Sequence, residues 1–159
     1  MKVAKFIAWI IMASCSVFSV QASPASSASF QKTLEDAEMI ASLDPAWKIY
    51  RTVGKSMGNY FGDHSLILVQ ETAFEDIREQ MIVVYRNDSG ELISHQVIAK
   101  KDGHLQTKGY ANLKKDPVAI SEEMVLGTVF CVFHSEEAPK GPLVLSNGRS
   151  LPTALCKEF

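Results

Sequence analysis

Three cysteines and four histidines are spread thinly over 159 residues, with no two close pairs that would make up a four-ligand set, so no zinc site is expected. There is no internal repeat, no coiled-coil heptad and no glycine-rich phosphate-binding loop, which removes solenoids, zippers and nucleotide-binding folds of that kind. Positive charge is not in excess: 16 basic against 18 acidic residues give a net charge of −2, which offers no general attraction for nucleic acid or anionic lipid. No cofactor and no metal is expected. What is present is ordinary for a globular protein, 47% hydrophobic and 21% charged, so disorder is excluded as well.

The one long apolar run is at the start. Lys2 and Lys5 precede the mostly apolar stretch Phe6 to Val20, and Val20-Gln21-Ala22 supplies short residues for a cleavage site before Ser23. An uncleaved anchor needs about twenty apolar residues, so residues 1–22 read as a signal peptide of a secreted or periplasmic protein with no membrane span in the mature chain. Met12-Ala13-Ser14-Cys15 offers an alternative, a lipoprotein box that would anchor the protein through Cys15, with methionine in place of the usual leucine. Cleavage at Ala22 removes two lysines and no acid, leaving 14 basic against 18 acidic residues, a net −4. Cys131 and Cys156 remain, an even number suited to one disulfide in an oxidising compartment. Such a bridge would close a loop of about 25 residues and stabilise by about 3 kcal/mol on the chain-entropy model; two unrelated thiols are the other reading.

Residues 23–29, rich in Ser, Ala and Pro, read as a flexible linker, and residues 30–159 as one domain. Phe30, Leu34, Ala37, Ile40 and Ala41 have helical spacing, predicting a short helix from Phe30 to Leu43, with Glu35, Asp36 and Glu38 towards its favourable end; Asp44-Pro45 stops it. Strands are expected at Trp47 to Val53, Leu66 to Gln70, Met81 to Arg86, Leu92 to Lys100, His104 to Lys108 and Gly127 to Phe133. Asn87-Asp88-Ser89-Gly90 and Lys101-Asp102-Gly103 read as hairpin turns, Ala73 to Glu79 as a polar connection, and Ser135 to Phe159 as loop with a short strand at Leu143 to Leu145. The fold class is mainly β.

Against this frame Ser56, His95 and Asp116 stand out. A serine hydroxyl is a weak nucleophile; a neutral imidazole, with an ordinary pKa of about 6.5, can take its proton, and a carboxylate on the far side of the ring fixes the tautomer and stabilises the imidazolium. Each also has a structural reading: a turn serine after glycine, a half-buried strand histidine, a loop aspartate after Lys114-Lys115. Lys55, Lys100 and Lys101 are alternative bases if a lysine were desolvated, although paired lysines before Asp102-Gly103 suit a solvated hairpin end. His64 and His104 fall in turns, and His134 follows the last strong strand.

The order of these residues resembles the signal peptidase family, and more broadly the serine peptidases that include the self-cleaving repressors. Gly54-Lys55-Ser56-Met57 is followed by Gly62-Asp63 and the run Leu66 to Val69; Ser94-His95-Gln96-Val97-Ile98 is similar to the His-Arg-Val-Ile of the archaeal and endoplasmic-reticulum branch; Thr107-Lys108-Gly109, Asn112 and Asp116 follow that branch's Thr-Lys-Gly-Asp-Asn-Asn segment and second aspartate. The likeness spans about Val53 to Phe133, roughly half the chain. It implies a twisted β-sheet domain of the signal peptidase and repressor-protease type, with Ser56 as nucleophile, His95 as base and Asp116 as its orienting acid. It also implies an oxyanion hole that uses the Ser56 amide, Gly54 and Met57 at the substrate, and cleavage of a peptide or protein between small side chains. The chain departs from the pattern in several places. Gly58-Asn59-Tyr60-Phe61 lacks the family's proline and is about two residues short; Tyr110 and Ala111 replace the first aspartate and an asparagine; about thirty residues separate Ser56 from the apolar leader. These departures keep a second expectation open, a catalytically silent relative that binds extended peptides or envelope partners. A repressor is disfavoured, since the chain has an export signal and lacks room for a DNA-binding helix-turn-helix domain. Nothing in the sequence specifies an oligomeric state.

Overall fold

The structure, a computed structural model, describes residues 26–137 and 141–159. The expected leader, its cleavage site and Cys15 lie outside the described residues, as do the first three positions of the linker. Among the described residues no helix is long and apolar enough to cross a membrane.

Among the described residues one α-helix, α1 (Phe30–Ala41), precedes seven strands: β1 (Lys48–Gly54), β2 (Ser65–Gln70), β3 (Ile82–Arg86), β4 (Leu92–Lys101), β5 (His104–Lys108), β6 (Val125–His134) and β7 (Thr153–Cys156). The mainly β expectation holds. The sheet runs β3-β6-β2-β1-β7-β4-β5, and β3 also pairs with β4, so six strands curl into a barrel-like ring and β5 lies outside it along β4. Most pairs are antiparallel, but β7 is inserted parallel to both β1 and β4, with Val53 and Ile93 each opposite Leu155.

Period-two alternation divides the core. In β2, Ile67 and Val69 join Tyr50, Met57, Phe61, Val84, Ala154 and Cys156 in one cluster, while Leu66 and Leu68 join Leu34, Ala37 and Ile49 beneath α1. Val83 and Tyr85 of β3 face the other way from Val84 and pack with Ile93, Leu105 and Ile120. A strand buried on both faces explains why Leu66 to Val69 reads as an unbroken apolar run. Both predicted hairpin turns form: Gly90, at φ 81°, closes β3 to β4, and Asp102 and Gly103, at φ 51° and 73°, close β4 to β5.

Several expectations are corrected. The helix stops at Ala41, and Ser29, the last residue of the expected linker, is ordered as its N-cap, with Ser29 Oγ accepting from the Lys32 amide at 3.3 Å. No acidic residue lies in its first turn, so Glu35, Asp36 and Glu38 miss the dipole; Lys32 instead pairs with Asp36 one turn on. The strand expected at Leu143 to Leu145 is only a single bridge between Val144 and Ser150, and the last true strand is β7, which replaces part of the expected loop. Cys131 and Cys156 are both free thiols. They sit on β6 and β7, separated in the ring by β2 and β1, and they pack into different clusters, Cys156 with Met57 and Phe61 and Cys131 against the cluster beneath α1, so the two thiols do not meet.

Candidate active site

β1 ends at Gly54, and the next turn carries Ser56. Gly54 has φ 109°, and a Cβ there would lie 2.2 Å from the Cys156 carbonyl oxygen, so only glycine lets β1 and β7 meet at this point. The Gly54 amide donates to Asp63 Oδ1 at 2.8 Å, and Thr52 Oγ1 donates to the carbonyls of Gly62 and Ser65. The Gly-Asp pair therefore ties both ends of the loop holding the serine. Met57 and Phe61 are fully buried in the barrel core and anchor that loop from beneath. The resemblance puts Met57 at the substrate; its side chain packs inside the protein instead, as its apolar neighbours Tyr50 and Val84 dictate.

The loop after β5 closes on the serine from the other side. Ala111 donates its amide to the Ser56 carbonyl at 2.7 Å, and a Cβ on Gly109 would fall 2.6 Å from the Ser56 Cβ. Tyr110, standing where the resemblance has an aspartate, is half exposed and packs edge-on against Tyr60 at 4.7 Å, joining the two loops. The Asp116 amide donates to the Thr107 carbonyl at 2.8 Å, which folds residues 109–115 into a loop and returns the carboxylate beneath His95.

Ser56, His95 and Asp116 come together in one line. His95, on β4, has Nε2 at 2.9 Å from Ser56 Oγ and Nδ1 at 2.6 Å from Asp116 Oδ2. With Asp116 ionised, a carboxylate can only accept, so Nδ1 carries the hydrogen and Nε2 is left to accept from the serine hydroxyl. Asp116 Oδ2 also accepts from Tyr85 OH at 3.0 Å and from Thr107 Oγ1 at 2.7 Å. Burial pushes this carboxyl up, but the hydrogen bond and charge of His95, then the hydroxyls of Thr107 and Tyr85, outweigh it and hold its pKa below the ordinary value. Burial first, and the Asp116 charge second, raise the Tyr85 phenol far above its usual range, so it stays a donor. The serine, the imidazole and the carboxylate are each buried to within 1% of full enclosure.

The remaining sequence candidates lie elsewhere. Lys100 Nζ donates to the carbonyls of Phe74, Glu75 and Ile77 and sits 4.9 Å over the Phe74 ring, tying down the turn at Phe74–Asp76. Lys101 points to solvent beside Asp102, and Lys55 is exposed. His64 and His104 each contact a backbone carbonyl, and His134 contacts Ser65 Oγ. Among the described residues no cluster of His, Cys, Asp and Glu could hold a metal ion.

The Ser56 amide, expected to be free for an oxyanion, is directed at the Cys156 carbonyl at 3.4 Å, a bond at the long limit. The residues that sequence reasoning missed are the two hydroxyls on Asp116 and the segment after β7. Thr107 lay within the matched motif, but nothing local paired Tyr85 with an aspartate 31 residues away.

Comparison with protein-family models, with curated proteins and with solved structures found no match.

Proposed function

We propose that this protein is an exported serine endopeptidase of the signal-peptidase type, its barrel-like sheet a variant of that family's twisted β domain. The observation that carries the reading is the unbroken line from Ser56 Oγ through both nitrogens of His95 to Asp116, at 2.9 and 2.6 Å. A histidine that accepts from a buried serine on one side and donates to a pinned carboxylate on the other is what general-base catalysis needs.

In the proposed reaction Ser56 Oγ attacks the peptide carbonyl carbon while its proton passes to His95 Nε2. Asp116 stabilises the imidazolium without taking its proton. Collapse of the tetrahedral intermediate breaks the C–N bond, and His95 returns the proton to the leaving amine. Water, deprotonated by the same nitrogen, then hydrolyses the Ser56 ester and releases the carboxylate product. By resemblance, small residues flank the scissile bond.

A second reading, a silent relative that binds extended peptides, is favoured by two observations: the reacting groups are enclosed, and the Ser56 amide is engaged by Cys156. Incubation of the mature protein and its Ser56→Ala variant with a mixed peptide library, read by mass spectrometry, separates them. Cuts made only with Ser56 present support the peptidase. A folded protein that cuts no peptide, and that captures peptides equally well with and without the Ser56→Ala substitution, supports the silent relative.

A further inference from the structure

A serine and a histidine as enclosed as Ser56 and His95 cannot meet a peptide without something moving aside. The segment that follows β7 lies in the way. β7 occupies the slot between the strands that lead to the serine and carry the histidine, pairing with both, and the chain then continues past the end of β1 and beside His95. The Cys156 carbonyl takes the Ser56 amide, the Lys157 carbonyl accepts from Asn112 Nδ2 at 3.0 Å, and the Phe159 ring stands edge-on to His95 at 5.8 Å between centroids. Lys157 Nζ pairs with Glu91 Oε2 at 2.8 Å, which fastens the segment to the start of β4.

We infer that Lys157–Phe159 is an autoinhibitory strap, an extended stretch of the protein's own chain lying in the path of an extended peptide and released when a substrate takes its place. The inference rests on the reading of Ser56 and His95 as a reacting pair. The hold on the strap is built to be broken. Phe159 is 41% exposed, and its ring is a wall between two open hollows, one of about 210 Å³ bordered by Pro117, Val118 and Ile120, the other of about 300 Å³ bordered by Ala111 and Leu113. The ring can turn into either without repacking the barrel. The ion pair is half exposed on both sides, so it too yields to solvent. By contrast Cys156, one residue earlier, is buried in the core, which sets the hinge between Cys156 and Lys157.

The test reads the imidazole directly rather than through turnover. Carbethoxylation by diethyl pyrocarbonate is followed at each histidine by peptide mass spectrometry, with the exposed His104 as the internal reference. Loss of one edge-on ring contact is expected to speed His95 modification about fivefold in Phe159→Ala. Lys157→Glu should do the same by setting two acids face to face, and the swapped pair Glu91→Lys with Lys157→Glu should restore the slow rate. Unchanged His95 reactivity in Phe159→Ala and in Lys157→Glu overturns the strap. If Phe159→Ala unfolds, seen as loss of all secondary structure, the charge swap decides alone. Phosphonylation of Ser56 by a fluorophosphonate, with loss of fluoride, separates the two claims in the same variants. Faster His95 modification with no phosphonylation upholds the strap and overturns the peptidase; phosphonylation with His95 unchanged does the reverse.

Discussion

Replacing Thr107 by valine removes one hydroxyl and changes little else, because the two side chains have nearly the same shape. Thr107 is fully buried, and its Oγ1 donates to Asp116 Oδ2 at 2.7 Å. A hydrogen bond to a buried charge contributes about 1.5–3 kcal/mol, so the folded state should lose about 2 kcal/mol at neutral pH. For a domain of this size that corresponds to a fall in Tm of roughly 6–10 °C. The pH dependence carries the sharper information. The folded pKa of Asp116 is depressed, so its ionisation stabilises the protein above the unfolded value of about 3.9, and that contribution is lost as pH falls through the folded value. Removing a donor raises the folded pKa towards the ordinary one. The gap between wild type and Thr107→Val should therefore be full at pH 7 and narrow as pH drops through the carboxyl range. Urea unfolding in steps from about pH 7 to about pH 2.5 measures it. A gap of the same size at both ends would refute the reasoning, since it would mean that Thr107 contributes by packing and not through the charge on Asp116.

Gly109→Ala should cost Ser56 its position, because the new Cβ would lie 2.6 Å from the serine Cβ; the fold should survive while fluorophosphonate labelling of Ser56 falls at least tenfold, whereas wild-type labelling would show that the loop gives way freely. Gly54→Ala meets a backbone oxygen at 2.2 Å in addition to a positive φ, and should destabilise by about 3 kcal/mol or more in chemical denaturation. The thiols should remain separate under oxidising conditions: burial, then the Asp63 charge, push the Cys156 thiol up to about 12, so iodoacetamide should modify it only after unfolding, and non-reducing mass spectrometry should find no bridge to Cys131.

The parts of the molecule legible in its sequence are those whose cause is local. The apolar runs in Leu66 to Gln70 and Met81 to Arg86, and glycines that take positive φ at Gly90 and Gly103, place four strands and two hairpins within a residue or two. Chemical type picked out Ser56, His95 and Asp116, and the chain does bring them within hydrogen-bond distance. What stayed hidden has distant causes. Thr153–Cys156 is only four residues long and becomes a strand because β1 and β4, about sixty to a hundred residues earlier, leave a slot for it. Its insertion also carries Cys156 away from Cys131, which two-cysteine arithmetic could not foresee. Met57 follows the serine in sequence as a groove residue would, but the turn sends its side chain into the core. The strap over His95 exists only because β7 ends where the histidine begins, and no short-range pattern encodes that juxtaposition.

The most direct measurement is the intact mass and adduct site after exposure to a fluorophosphonate, made on the wild-type protein, on Phe159→Ala and on Phe159→Ala combined with Asp116→Asn. A working Ser56–His95–Asp116 relay predicts a single adduct on Ser56, faster in Phe159→Ala, and slowed by about four orders of magnitude when the carboxylate that sets the tautomer is removed. A folded Phe159→Ala protein that gains no adduct on Ser56, or gains one at the same rate without the Asp116 charge, would contradict it.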